Sequence, residues 1–450
     1  MLESMRDDVD IWEEEAENSS NLRRGSFQVT SAAAKDARDA ASPLVAPLHS
    51  AAATGGKKEE SKENNKIMAG SLNKLVEALT SDTQYDNRFL KTFITTYQSF
   101  TTPAKLFDKL LQRYNVRTDR VDASRVKAIQ LRVCVVLKYW VENQFFDFDE
   151  ELIQQIFDFV GGTLEQNNPD LAGMVAKELQ NRILERKDKM KTMFIKPQEL
   201  VAPQVSSVSA LFMSMKAEDL ARQLTLIEFE IYSSISGSEL LGQSWNKESL
   251  QHRSPNVMAL IHRANKLSFW VSTMILNEDT HKARKKIFEK FIAISDQLFK
   301  LKNFHTLMSI IAGINTSPIS RLRATKKDIK GKLTKAFKRL EEIMNPQGSF
   351  SNYRNILHTS SPPCIPYLGV YLSDLTFMED GNPDKVDNLI NLGKRELIYR
   401  VIEEVNQYQV TPYQIQANEP IHTFLRELPH LEEKDLFDLS LVREPRRPQN

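Results

Sequence analysis

From residue 70 onward, apolar residues return every three or four positions, and that period admits little except packed helices. SLNKLVEAL places Leu72, Leu75, Val76 and Leu79 on one helical face, and NRFLKTFITTYQSF repeats the pattern with Phe89, Leu90, Phe93 and Tyr97. Thr102 ahead of Pro103 has the form of a helix cap followed by proline at the first helical position, opening PAKLFDKLLQRY. AIQLRVCVVLKYWVENQF and DEELIQQIFDFV extend the series. Neither a βαβ rhythm nor a repeat of fixed length occurs. The expected class is all-α, with globular packing rather than a solenoid.

At 450 residues the chain can hold two helical domains, each with its own core. Residues 1–66 run from an acidic block into Ala, Ser and Gly without a sustained apolar period and read as a disordered arm. In that arm Arg23 and Arg24 precede Ser26, a spacing that a basophilic kinase reads and that also arises by chance. A first helical domain is expected over 67–185, a linker marked by KPQELVAPQVSSVS over 186–214, and a second domain over 215–450. Its main helices are AEDLARQLTLIEFEIYSSI, SPNVMALIHRANKLSFWVSTMIL, HKARKKIFEKFIAISDQLFKL and NFHTLMSIIAGI.

Several classes of function find no support. A net charge of +1 gives no global attraction to nucleic acid or membrane. The two cysteines, Cys134 and Cys364, exclude a disulfide framework and fit a reducing compartment. No apolar run is long enough to span a bilayer, and the acidic N-terminus lacks a signal pattern, so the cytosol is the expected location. The eight histidines form no HExxH and have no cysteine partners at zinc-ligand spacing. His262 reads as a packed helical histidine. GxGxxG, GxxxxGK[ST] and GxSxG are absent, and the basic segments lack aromatics for base stacking.

Two segments stand out. PCIPYLGVYLSDLTFMEDGNPD sets a helix between proline-marked turns. At 100° per residue, Leu368, Tyr371, Leu375 and Met378 fall within about 80° of arc. Gly369, Ser373, Thr376 and Asp380 share another arc of about 60°, a face of small or oxygen-bearing side chains. Glu379 and Asp380 stand at the helix end where negative charge is unfavourable. Upstream, GINTSPISRLRATKKDIKGKLTKAFKRLEEI carries nine Lys or Arg between Arg321 and Arg339 against one Asp. With only Leu333, Phe337 and Leu340 as anchors, it is expected to be a weakly packed hairpin arm projecting from the second domain. Its charge would draw an acidic partner or anionic lipid, at roughly 1 kcal/mol per basic residue near such a membrane. The plainer alternative for each segment is a solvated surface.

LTLIEFEIYSSISGSELLGQSW, SPNVMALIHRANKLSFWVSTMIL, LKNFHTLMSIIAGINTSPISRL and PPCIPYLGVYLSDLTFMEDGNPD, in this order and spacing, resemble the CDC25-like catalytic domain of Ras-family guanine nucleotide exchange factors. YDNRFLKTFITTYQSFTTPAKLFDKL is similar to the Ras exchanger motif domain that precedes it. The resemblance implies catalysis without covalent chemistry: release of GDP from a Ras-like or Rap-like GTPase and loading of GTP, by prying the switch region open and displacing magnesium and phosphate contacts. It implies no cofactor for this chain, since magnesium and nucleotide are held by the partner. Asn315 matches a polar residue that steadies the switch, Thr376 the side chain near the magnesium position, and Asp380 the acid that contacts the phosphate-binding loop. Phe350 and Tyr367 match aromatic contacts, and Gly369, Ser373 and Glu379 share the contacting helix. Arg321 and Leu322 are expected to position the hairpin. Thr376 stands where Leu or Ala also occurs, and Asp380 is one methylene shorter than the commoner Glu. A monomer is expected, in the cytoplasm, with recruitment to the inner face of the plasma membrane through the basic hairpin. A GTPase-binding scaffold without turnover, or a membrane adaptor using only the basic segment, would share parts of this sequence.

Overall fold

The computed structural model describes residues 9–14, 21–25, 66–119, 121–193 and 205–445. Among the described residues the fold is all-α with one small sheet, and the chain divides into two compact units. One takes the described residues up to Met193 together with Met378–Arg400; the other takes 205–377 and 401–445. The span 215–450 expected for a second domain is therefore interrupted, because Ile390 and Leu392 belong to the core of the first unit.

In the first unit, helices begin where short polar side chains satisfy free backbone amides. Ser71 accepts from the Lys74 amide, Asp86 from those of Arg88 and Phe89, and Asp149 from that of Leu152. Thr102 caps Pro103–Tyr114 with proline in the first turn, as its sequence predicts. The apolar faces of these helices meet around Trp140, which stands edge-on to Tyr97 and Phe148 with ring centroids 5.3 and 4.7 Å away. Helix Glu150–Phe159 runs on through a π turn over Val160–Leu164, where Gly161 and Gly162 tolerate the widened backbone.

The arm departs from its sequence expectation at two places. Ile11–Glu14 forms one helical turn with Trp12 only 2% exposed. Its indole Nε1 donates to Gln112 O at 2.8 Å, and the Arg113 guanidinium lies over the ring at 4.6 Å. Further on, Leu22–Arg24 forms a strand, β1, paired antiparallel with β2 (Ile67–Gly70). β3 (Lys385–Val386) and β4 (Leu389–Asn391) complete the sheet in the order β1-β2-β4-β3. Asp387 and Asn388, at φ 49° and 64°, make the two-residue turn between β3 and β4. Asp and Asn tolerate this left-handed geometry, which matches strand twist.

In the second unit, Pro255–Leu276 and Phe304–Asn315 pack closely because Gly313 has no side chain. A Cβ there would lie 2.6 Å from Ser268 O and 2.8 Å from Val271 Cβ. Ser272 bridges the contact, donating to Gly313 O at 2.9 Å. The buried Glu239 carboxylate accepts from the Asn256 and Val257 amides at 2.7 and 3.0 Å, closing the positive end of Pro255–Leu276. Phe212, Trp270 and Phe291 form an aromatic cluster beside Lys290, whose ammonium reaches the Phe212 and Met215 carbonyls.

The basic segment does not project as a hairpin arm. Gly331–Ile343 lays Phe337, Leu340 and Ile343 inward and packs against His281–Lys300. Thr325 and Ile329 are also buried, and the Glu444 carboxylate accepts from the Ala324 and Thr325 amides at 3.1 and 2.9 Å. The apolar stripe continues through Ile343 and Met344, so the anchors outnumber the three counted from sequence. Arg321 and Leu322 share in this attachment. Leu322 is fully buried, while the Arg321 guanidinium donates to Ser440 O at 2.5 Å and to Glu444 O at 2.8 Å.

Candidate functional site

Helix Leu368–Gly381 has the two faces that its sequence predicts. Leu368, Tyr371 and Leu375 are buried, whereas Ser373 and Asp380 are exposed and Gly369 and Thr376 half-buried. Met378 is half-buried rather than sealed in. Tyr371 anchors the inner face from the side of helix Leu392–Gln407, donating to Glu404 Oε1 at 2.8 Å. Burial pushes the Glu404 carboxyl up, and the Tyr371 hydroxyl only partly offsets it.

A buried ion pair fixes the middle of this helix. Arg354, on helix Gln347–His358, donates to both oxygens of Asp374 at 2.8 Å, with the two side chains 7% and 11% exposed. Burial raises the Asp374 carboxyl, with the guanidinium opposing. Arg354 Nε also donates to Ser349 O at 2.7 Å. That carbonyl belongs to an unusual run, Gly348, Ser349 and Phe350, all left-handed at φ 61°, 54° and 62°. Only glycine adopts this conformation without cost, and a Phe there is a marked outlier.

The run sets Phe350 beside Tyr367, with ring centroids 5.7 Å apart, and near Tyr353 at 6.4 Å. The Tyr367 amide donates to the Tyr353 hydroxyl at 2.7 Å. The Tyr367 ring closes over Gly369, where an added Cβ would lie 2.6 Å from Cζ and Oη. Phe350, Tyr367 and Gly369 are thus brought together. Asn315 is exposed at the end of Phe304–Asn315 and donates to Glu341 Oε1 at 2.7 Å, with no bond to the Leu368–Gly381 helix.

Thr376 is held from both sides. Its hydroxyl donates to Leu372 O at 2.9 Å, and Asn246 Nδ2 donates to it at 3.4 Å. Its proton is therefore committed to the backbone. In the first unit, Glu379 pairs with Lys394, Nζ to Oε2 at 2.6 Å, and the same ammonium donates to Glu379 O at 3.0 Å and to Asp384 Oδ1 at 3.0 Å. A cation at a helix C-terminus offsets the cost that its sequence implies there. Asp380 stays exposed beside it. Ser26 lies outside the described residues.

Asn246, Tyr353, Arg354, Asp374 and Glu404 escape a reading of the sequence, because each meets the helix from a distant segment or from outside its two marked arcs. Among the described residues no group of three or more His, Cys, Asp or Glu is placed to hold a metal ion, and no helix is long and apolar enough to cross a membrane.

The RasGEF domain profile matches residues 219–396, and that of the RasGEF N-terminal motif matches 66–159. The chain is 49% identical over 384 residues to Ras guanine nucleotide exchange factor R of Dictyostelium discoideum, an alignment covering 84% of this chain and 22% of that relative. It is 40% identical over 399 residues to factor S of the same organism, covering 85% and 38% of the two chains. With factor A it shares 40% identity over 411 residues, covering 87% and 67%. The chain thus spans about a fifth to two thirds of the length of these relatives.

Proposed function

Because the chain belongs to the Ras guanine nucleotide exchange factor family, we propose that it accelerates GDP release and GTP loading on a Ras-like or Rap-like small GTPase. The observation that carries this reading is the Leu368–Gly381 helix, in which Leu368, Tyr371 and Leu375 are buried while Ser373, Thr376 and Asp380 occupy the other marked arc. A GTPase holds magnesium and phosphate by charge and oriented donors. The Asp380 carboxylate, offered to those donors, competes with phosphate. Thr376, with its hydroxyl proton engaged by Leu372 O, acts chiefly through its bulk and excludes the ion. No bond in this chain forms or breaks. The gain is a lower barrier to nucleotide release, and by reciprocity nucleotide must weaken the complex in turn.

Phe350 and Tyr367, tilted against each other with ring centroids 5.7 Å apart, serve in this reading as the aromatic platform for the opened switch, with Gly369, Ser373 and Glu379 along the contacting helix and Asn315 steadying the switch beyond it. Arg321 and Leu322 act at a distance by fixing the basic segment to the C-terminal helix. Magnesium and guanine nucleotide belong to the partner. Recruitment to the inner face of the plasma membrane would use Lys327, Lys330, Lys332, Lys335 and Lys338, all exposed, with Lys282 and Lys286 exposed on the helix packed against them.

The test is release of fluorescent GDP from a panel of Ras and Rap proteins in excess unlabelled GTP, with substoichiometric chain. Multiple turnovers on one member, slowed by Asn315→Ala and by Asp380→Ala, are expected. Binding to a nucleotide-free GTPase that added GTP fails to reverse would replace the exchange reading with a scaffold. No acceleration on any member would defeat it.

A further inference from the structure

β3 and β4 form the connector between the helix that carries Thr376 and helix Leu392–Gln407, and they are only two and three residues long. An isolated pair that short is marginal in water and takes its position from further strands. β2 is one neighbour, pairing Ala69 with Asn391 and Gly70 with Ile390. The last strand, β1, comes from the arm and covers the open edge of β2: the Ser71 amide donates to Asn21 O and the Gly25 amide to Lys66 O, both at 3.0 Å.

Side chains specify this docking. Gly70 leaves room for Leu22 against Leu75; a Cβ there would lie 3.0 Å from Leu22 Cδ1 and 2.9 Å from Leu75 Cδ2. Arg23 forms an ion pair with Asp387, in the turn of the connector itself. That pair is about half exposed, so it adds little stability and serves to set register. Upstream the arm is moored independently. Val9 O accepts from the buried Lys109 ammonium at 2.6 Å and from Asn73 Nδ2 at 3.1 Å.

We propose that Asn21–Gly25 is an intramolecular clamp: docked on β2, with Arg23 on Asp387, it fixes the connector and thereby the C-terminal turn of the helix where Asp380 stands. On the exchange reading given above, its residues are positioning residues for nucleotide release. The docked strand is short and its ion pair is solvated, so the clamp can open without unfolding the helices behind it.

The experiment compares the full chain with a variant carrying Leu22→Asp and Arg23→Pro, using hydrogen–deuterium exchange and steady-state GDP release on the responsive GTPase. Faster uptake is expected at 67–71 and at 385–391, with Ala123–Gln144 unchanged as the control for folding. Maximal exchange rate should fall several-fold with a smaller change in KM. Arg23→Lys should behave as the parent chain and Arg23→Glu as a weaker form of the double variant. Unchanged uptake at 67–71 would overturn the docking, and deprotection there without any at 385–391 would overturn the clamp. A loosened connector with undiminished exchange would overturn the positioning role. If the parent chain accelerates no GTPase, the functional reading fails while the uptake data still decide whether the clamp exists.

Discussion

Replacing Asp374 by alanine should damage the second unit more than its position on a half-exposed helix suggests. The substitution strips the Arg354 guanidinium of two bonds at 2.8 Å and leaves it 7% exposed, with Ser349 O at 2.7 Å as its remaining hydrogen-bond acceptor. Breaking one side of a fully buried pair costs about 3–5 kcal/mol. Both groups retain a little contact with solvent, which places the loss near the lower end, about 3 kcal/mol, or roughly 150-fold in an opening equilibrium. Native-state hydrogen exchange of helix Gln347–His358 reads this directly, as protection lower by about two orders of magnitude. Replacing both partners, Arg354→Met with Asp374→Leu, removes the stranded charge and should recover most of the loss. A single substitution costing under about 1 kcal/mol, or a double variant as damaged as the single, would refute the account of the pair as a buried, mutually dependent unit.

Two further outcomes follow from the same neighbourhood. Gly369→Ala forces the Tyr367 ring aside, yet alanine is the better helix former by up to about 1 kcal/mol; stability should stay nearly constant while GDP release slows, and a variant as active as the parent would remove the Tyr367 platform from the site. His305 is 3% exposed, and burial lowers its pKa from 6.5, with Glu228 and the Leu260 backbone opposing and Arg263 reinforcing. The unfolded chain therefore binds the proton first, so stability is full above about pH 6.5 and falls below it by at most about 1.4 kcal/mol per unit. His305→Leu should flatten that slope in the protection of helix Phe304–Asn315 measured between about pH 7.5 and 5.5, and an unchanged slope would assign it to other groups.

The helices were legible because their apolar residues return every three or four positions, and at Thr102 with Pro103 the start carries its own chemistry as well. The division of Leu368–Gly381 into two faces was equally local, being arithmetic on the helical period. What stayed hidden depends on pairings across long separations. Trp12 sits alone in an acidic stretch and finds Gln112 and Arg113 a hundred residues on, while β3 and β4 are too short for a period of two to register. The basic segment misled because its charge outweighed a stripe that goes on past Leu340 to Ile343, at the very end of the quoted stretch, and Met344 just after it. Nor does Gly-Ser-Phe, with one glycine, announce three left-handed residues in a row. That geometry arises where Arg354 seizes Ser349 O.

That left-handed run also bears on attempts to harden the protein. Three consecutive residues in this region store about 1–3 kcal/mol each where a side chain is present, and Phe350 is the bulkiest of them. A consensus or computational search ranking substitutions by predicted folding energy would pick Phe350→Gly or Phe350→Asn early. The same exchange deletes the ring that Tyr367 leans on. Thermostable descendants of this chain should therefore be screened for turnover at each round, because on the proposed exchange reading robustness and the GTPase-facing surface draw on one backbone segment in opposite directions.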